Sequence, residues 1–285
     1  METESSTQLL KASVYVGKGG VGKTTSTAHL GVCAAQEHDL DVLLIDLAGT
    51  QNDLAANFGL VDTVADPDAP ISAIFGENWE FIRENIPNVV DRMTFKTEEG
   101  VDLIPSDVGL SGADNTLAST PLEDRYRILD RFLSNEIAPR YDLVLMDLPG
   151  NENNIVLNGL FASEQTVVPL KPGKFERNQL SNLERDLQAI DEDTNGDVQP
   201  MVTMVIPTMV DFRTNQAEAF VNDINAEYPN RASEPISISQ NISDYQGEGK
   251  TLFGVADDEL SATGKRARNA YRSSTDQLLE ALRAA

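Results

Sequence analysis

Short apolar runs alternate with helix-length amphipathic stretches along most of the chain. Apolar runs at residues 12–16, 42–45, 143–146, 166–170 and 201–206 predict buried strands, and runs at 101–104 and 236–238 are weaker strand candidates. Helical periodicity covers residues 24–36, 123–137, 175–190, 216–228 and 267–283. This alternation is typical of βαβ units, so we expect an α/β fold with a mostly parallel central sheet and helices on both faces.

The 285-residue chain contains no repeat and no linker that would divide it. Residues 62–98 are irregular and proline-containing, which favours a helical excursion, and the polar stretch 191–200 favours a surface connection. We therefore expect a polar leader at residues 1–11 and a single domain at residues 12–285. The leader lacks the features of a signal peptide, and no apolar run approaches the roughly 20 residues of a membrane span.

A phosphate-binding loop is the strongest chemical signal in the sequence. Residues 17–24, GKGGVGKT, match G-x-x-x-x-G-K-[ST] between a predicted strand and a predicted helix. Glycines let the backbone wrap around an anion with its N–H groups turned inward, and the helix N-terminus adds further N–H groups. Lys23 would contact the β- and γ-phosphates, and the Thr24 hydroxyl would ligate Mg²⁺. A plain glycine-rich turn is the alternative.

The run at residues 18–25, KGGVGKTT, resembles the deviant Walker A motif of the ParA/MinD family of dimeric ATPases. The resemblance implies a P-loop NTPase fold, an ATP-dependent homodimer, and ATP and Mg²⁺ as cofactors. It also implies that Lys18 reaches across the dimer to the partner's nucleotide, although a solvated loop cation is the alternative. The nucleotide-binding residues implied by this motif are Gly19, Gly20, Val21, Gly22, Lys23, Thr24 and Thr25.

Three further segments extend the resemblance over nearly the whole chain. Residues 42–53, VLLIDLAGTQND, resemble the family's second motif and assign Asp46 a catalytic position facing Mg²⁺ and its waters. Residues 141–150, YDLVLMDLPG, resemble the Walker B strand, so Asp147 would hold Mg²⁺ together with Thr24. Residues 205–214 resemble the segment near the adenine, which makes Pro207 and Thr208 candidate base-pocket residues. A carboxylate after an apolar strand can also simply begin a turn.

Two departures from the family pattern affect the expected chemistry. Most relatives carry a second aspartate where this chain has Ala48, and alanine cannot orient or polarise water. Hydrolysis would then be slow, or Gln51, Asn52 or Asp53 would substitute, although Asp53 is equally consistent with the N-cap of a helix beginning near residue 54. Residues 236–250 contain no arginine, which weakens the case for the family's DNA contact there.

The chain is strongly acidic, with 46 Asp and Glu against 22 Lys and Arg and a formal net charge of -24. Scattered carboxylates with only 8 lysines against 14 arginines suit concentrated salt, and an ordinary acidic protein is the alternative. Together with the sequence DLAGTQNDLA, this composition resembles the haloarchaeal, Soj-like branch of ParA-type partition proteins. The charge balance argues against a broadly basic nucleic-acid surface, but at molar salt the Debye length of about 3 Å leaves local DNA contacts possible.

The densest basic cluster lies on the predicted last helix and is the best candidate for DNA phosphates: Lys265, Arg266, Arg268 and Arg272. The alternative is a solvated face, or cations that pair with the acidic surface. Lys171 and Lys174 form a lesser cluster. His29 and His38 have no metal partner at ligand spacing, and the single cysteine, Cys33, argues against an iron–sulfur centre.

These features predict a ParA-type switch for plasmid or chromosome partition. We expect a slow ATPase, stimulated by a ParB-like partner, that binds non-specific DNA, is cytoplasmic, and is nucleoid-associated when ATP-bound. The amphipathic stretch 276–282 is short, so packing on the domain is favoured over a membrane anchor. Alternatives are a MinD-like positioning ATPase, a nucleotide-dependent binding module with negligible hydrolysis, and a metabolic P-loop ligase or kinase.

Overall fold

The computed structural model describes residues 8–49, 52–173 and 176–285 and contains a seven-stranded sheet. The strands run in the order β3-β4-β2-β5-β1-β6-β7, and only the pairing of β3 with β4 is antiparallel. The strands are β1 (Leu10–Val14), β2 (Val42–Asp46), β3 (Phe95–Lys96), β4 (Asp102–Ile104), β5 (Leu143–Asp147), β6 (Gln165–Leu170) and β7 (Met201–Pro207). The predicted α/β class with a mostly parallel sheet is confirmed.

Twelve α-helices occur within the described residues. They are α1 (Lys23–His38), α2 (Asp53–Ala56), α3 (Trp79–Asn85), α4 (Val89–Met93), α5 (Leu110–Ser119), α6 (Leu122–Arg125), α7 (Ile128–Phe132), α8 (Asn154–Ser163), α9 (Glu176–Asp193), α10 (Asn215–Glu227), α11 (Gln240–Gly247) and α12 (Ala262–Ala284). Short 3₁₀ turns cover Ile71–Phe75 and Leu252–Gly254. None of these helices combines the length and the apolar character that crossing a membrane requires.

The apolar side chains form two clusters, one on each face of the sheet. One cluster contains buried residues of α1, α2 and α12, and the other contains buried residues of α5, α7, α8, α9 and α10. The central strands β2 and β5 are buried along their whole length. A parallel strand covered on both faces is apolar throughout, which explains why the sequence pattern located these strands well.

The predicted helix at residues 123–137 is wrong as a continuous element. It divides into α6 and α7 and continues as a π-helical turn over Leu133–Ile137. The buried Asn158 side chain of α8 donates to the Arg125 carbonyl (2.7 Å) and accepts from the Leu129 N–H (3.4 Å). The Asn158 side chain thus bonds to backbone groups on both sides of the break between α6 and α7. Hydrophobic periodicity within residues 123–137 cannot predict such bonds to a distant residue.

Other differences from the predicted elements are smaller. The first strand begins at Leu10, two residues before the expected position, and the candidate strand at 236–238 contributes only an isolated bridge between Val210 and Ser237. The irregular region 62–98 contains α3, α4 and a 3₁₀ turn, as expected, and also β3, which was missed together with α5, α8 and α11. All seven strands belong to one sheet, and the division into a leader and a single domain stays a prediction.

Candidate functional site

The phosphate loop joins β1 to α1 at the carboxyl edge of the sheet. Gly20 and Gly22 have positive φ angles of 68° and 87°, and Gly22 is the N-cap residue of α1. A Cβ added to Gly19 or Gly20 would meet no atom within 4 Å, so the loop is open on that side. The loop therefore presents backbone N–H groups and free space at a helix N-terminus, which suits a bound anion.

Two side chains at the start of α1 connect the loop to its surroundings. Lys23 is buried and donates from Nζ to the Lys18 carbonyl (2.7 Å), while the Thr24 hydroxyl donates to Asp147 Oδ2 (2.6 Å). Burial lowers the pKa of Lys23, and the nearby Asp147 carboxylate opposes that effect. The structure thus brings together Lys18, Lys23, Thr24 and Asp147, and the roles expected of them stay predictions.

Asp46 and Asp147 end neighbouring strands and pair in register across β2 and β5. Both are almost fully buried, and burial raises the pKa of each carboxyl; the charge of Asp46 raises the pKa of Asp147 further. Asp147 Oδ1 is a buried oxygen with no hydrogen-bond partner among the described residues. An unpaired carboxylate oxygen beside the Thr24 hydroxyl is the donor set that Mg²⁺ uses in phosphate sites. The residues present therefore fit a nucleoside triphosphate with Mg²⁺.

Asp46 differs from its neighbour because its Oδ1 already has a hydrogen-bond partner. Asp46 Oδ1 accepts the Ala48 N–H (2.8 Å), and hydrogen bonding from the backbone of Ala48 and Leu54 partly offsets the rise that burial causes in the Asp46 pKa. These bonds shape the loop after β2, in which Gln51 lies outside the described residues. Helix α2 begins at Asp53 with Asn52 as the N-cap residue, so the alternative that Asp53 is the N-cap is wrong.

The loop after β5 packs directly against the phosphate loop. A Cβ added to Gly150 would lie 3.0 Å from the Lys18 carbonyl carbon and 3.1 Å from Lys23 Nζ. Glycine is the residue that permits this approach, because any side chain would displace the loop or the lysine. The close contact connects the segment after Asp147 to the phosphate loop.

A cavity of about 240 Å³ opens beside Gly22 and Thr25 and is the candidate base pocket. Thr208 lines it, and the Thr208 hydroxyl donates to the Val21 carbonyl (2.8 Å). Pro207 ends β7 next to Leu170 but does not line the cavity. Sequence reasoning missed other residues that line the cavity, among them Met209, Ile238, Ile242, Gln246 and Tyr271. Part of the arginine-free segment 236–250 is therefore a wall of this cavity.

Most of the basic cluster on α12 is paired with acidic side chains of the same chain. Arg268 contacts Asp257 and donates to the Val255 carbonyl (3.2 Å), and Lys265 lies 3.8 Å from Asp257. Arg272 donates to Glu37 Oε1 (2.6 Å). Arg266 is exposed and lines a separate surface cavity with Phe212 and Glu234. The contacts favour the alternative in which these cations pair with the acidic surface.

The remaining candidates occupy different environments. Lys171 Nζ donates to the Gly20 carbonyl (3.2 Å), so this lysine lies against the phosphate loop, while Lys174 lies outside the described residues. Cys33 is buried. His29 is buried between α1 and the 3₁₀ turn at Leu252–Gly254, and His38 Nε2 lies 2.9 Å from Asp276 Oδ1.

Comparison with known proteins agrees with this geometry. The AAA domain family model matches residues 11–200, about two thirds of the chain. The sporulation initiation inhibitor protein Soj of Bacillus subtilis is 28% identical over 238 residues, covering 83% of this chain and 87% of Soj. The chromosome partitioning protein ParA of Caulobacter vibrioides is 29% identical over 227 residues, covering 79% and 78%. The chain belongs to the ParA/MinD family of P-loop ATPases. The closer likeness to haloarchaeal ParA-type proteins stays a prediction.

The solved structures agree at the level of the fold. An ATP complex of a Cyanothece McdA variant superposes with a TM-score of 0.75 at 21% identity, covering 97% of each chain. The P-loop fold expected for this ParA/MinD family member is thereby confirmed.

Proposed function

We propose that this chain binds and hydrolyses ATP with Mg²⁺ as a ParA-type switch in plasmid or chromosome partition. The observation that carries the proposal is the buried, unpaired Oδ1 of Asp147, which lies beside the Thr24 hydroxyl and Lys23 at an open phosphate loop. Leaving a buried carboxylate oxygen without a partner is costly, and a Mg²⁺ ion with its waters relieves that cost.

Each residue of the site then has a defined part. The backbone of Gly19–Gly22 would hold phosphate oxygens, and Lys23 would exchange the Lys18 carbonyl for the β- and γ-phosphates. Thr24 and Asp147 would hold Mg²⁺, which supplies charge neutralisation at the phosphates when bound. Thr25 and Thr208 would contact the nucleoside from the wall of the neighbouring cavity.

We further propose that bound ATP closes a homodimer in which Lys18 acts on the partner's nucleotide. The closed dimer would contact non-specific DNA, and hydrolysis stimulated by a ParB-like partner would release it. The names of the relatives Soj and ParA support this biological role. The protein would then be cytoplasmic and nucleoid-associated in its ATP-bound form.

A nucleotide-dependent binding module with negligible hydrolysis is a second candidate. Ala48 stands where most relatives have a second aspartate, and its N–H is used by Asp46 (2.8 Å). Because Asp46 is buried and its Oδ1 holds the backbone of the loop after β2, Asp46 is better placed to position that loop than to orient an attacking water.

Two measurements on the same variants separate these candidates. Binding of a fluorescent ATP analogue should be lost in Lys23→Ala and should lose its Mg²⁺ dependence in Asp147→Asn, while Lys96→Ala, a change at an exposed lysine of β3, should bind normally. Single-turnover release of the γ-phosphate should exceed that of Lys23→Ala. If the wild type binds the ATP analogue but releases γ-phosphate no faster than Lys23→Ala, the ATPase is rejected and the binding module is favoured. If Lys23→Ala binds the ATP analogue normally, both candidates are rejected.

A further inference from the structure

A second cavity, of about 360 Å³, lies beside the phosphate loop on the side of α8 and α9. One part of its lining is apolar and comes from Val156, Leu157 and Leu160 of α8. The polar part comes from four places: the residue after β1, the loop after β5, the first residue of α8, and the middle of α9. A cavity with an apolar wall and a polar wall suits a ligand that has both kinds of surface.

Tyr15 contributes an unpaired hydroxyl to this cavity. Its side chain is only 1% exposed and lines the cavity, yet the hydroxyl has no hydrogen-bond partner among the described residues. Buried hydroxyl groups in folded proteins are normally paired, so an unpaired one at a cavity wall indicates that a ligand or partner group supplies the missing bond.

Two carboxylates, those of Glu152 and Asp186, line the same cavity as Tyr15. Burial raises the pKa of Tyr15, and the charges of Glu152 and Asp186 raise it further. Asp186 has its own pKa raised by burial and by Glu152. Within residues 8–49, 52–173 and 176–285, neither carboxylate forms an ion pair. The adjacent Arg185 instead donates to the Ser181 carbonyl and to Asn182. The polar wall therefore carries net negative charge, which the charge of Arg185 offsets only in part.

We propose that this cavity binds an organic cation with an aliphatic stem, namely an alkylguanidinium or alkylammonium group. The stem would lie on Val156, Leu157 and Leu160, the cationic head would pair with Glu152 and Asp186, and its N–H would donate to the Tyr15 hydroxyl. A bare metal ion would leave the apolar wall uncovered, which is why an organic cation fits better. The site uses no residue assigned to phosphates or Mg²⁺. The proposal is therefore independent of whether the chain hydrolyses ATP.

Agmatine, in which a four-carbon stem joins a guanidinium group to an ammonium group, is the probe for the test. Isothermal titration into nucleotide-free protein at fixed ionic strength should give one saturable site. Asp186→Asn should weaken the affinity at least about tenfold, and Tyr15→Phe, which retains the ring, several-fold. Glu280→Gln removes the same charge from an exposed position on α12 and should leave the affinity unchanged. Circular dichroism confirms that each variant is folded.

Agmatine binding that does not saturate, or that weakens equally in Glu280→Gln, would overturn the proposal, because it would reflect only the net charge of -24. Loss of agmatine binding on addition of KCl, to the extent expected from ionic strength alone, would also overturn the proposal. A capped Gly-Arg-Gly tripeptide distinguishes the two sources of such a cation. Displacement of agmatine by the tripeptide assigns the site to a protein side chain, and agmatine binding without displacement assigns it to a free small molecule.

Discussion

The buried imidazole of His29 makes the stability of this protein depend on pH in a defined direction. His29 is 1% exposed; its Nδ1 donates to the Thr25 carbonyl (2.8 Å), and its Nε2 accepts the Leu252 N–H (3.2 Å). The ring also stacks on Tyr271 with 4.5 Å between centroids. Both nitrogens are therefore satisfied by the neutral ring, and a proton on Nε2 would oppose the Leu252 N–H.

Burial lowers the pKa of His29 from 6.5 to about 4, although the bond to Thr25 partly opposes the shift. Between these values the unfolded chain binds a proton on His29 and the folded protein does not. Stability from this group is therefore complete above pH 6.5 and is lost as the pH falls towards 4. At about 1.4 kcal/mol for each pH unit, the loss across the window is about 3 kcal/mol.

The variant His29→Gln isolates this contribution, because glutamine can donate to one carbonyl and accept one N–H but does not titrate. Urea unfolding followed by circular dichroism, at fixed salt and at several pH values from about 7 to about 4, gives the free energy of unfolding of both proteins. All other titrating groups are common to the two proteins and cancel in the difference. The excess stability of the wild type should fall by about 3 kcal/mol across this range. A difference that stays constant with pH would refute the reasoning.

Three further outcomes follow from contacts elsewhere. Gly249→Ala should lower the free energy of unfolding by about 2 kcal/mol or more, because φ of Gly249 is 75° and the new Cβ would lie 2.6 Å from the backbone of Gly59. Gly247→Ala is the control, since its new Cβ would meet no atom within 4 Å, and it should be nearly neutral. Equal destabilisation by the two substitutions would contradict the steric argument. Lys18→Ala should retain ATP binding but lose ATP-dependent dimerisation in light scattering; retained dimers would exclude its role across the interface. Arg266→Glu should weaken non-specific DNA binding and reduce the salt dependence of that binding. Arg283→Glu, at another exposed position of α12, should leave DNA binding unchanged. An equal loss of DNA affinity in both variants would indicate that net charge, and not a contact of Arg266, controls binding.

The sequence predicted the parts of the fold that depend on short stretches of chain. The central strands and α1, α9, α10 and α12 were located to within a few residues, because buried parallel strands and amphipathic helices leave periodic patterns. The continuous helix at 123–137 was wrong, because Asn158 takes over backbone groups at the break between α6 and α7. Helix α8 was missed despite an N-cap signal, the Asn153 side chain that accepts the Val156 N–H (2.9 Å).

The sequence by itself determined the phosphate loop, because that motif needs only contiguous residues between a strand and a helix. It also located Asp46 and Asp147 at strand ends. Only the tertiary structure placed these carboxylates side by side, left Asp147 Oδ1 unpaired while Asp46 Oδ1 accepts a backbone N–H, and paired most of the α12 cations with acidic side chains. The physical reason is that hydrogen-bond and charge partners are chosen by strand order and packing between residues distant in sequence, which local patterns do not encode.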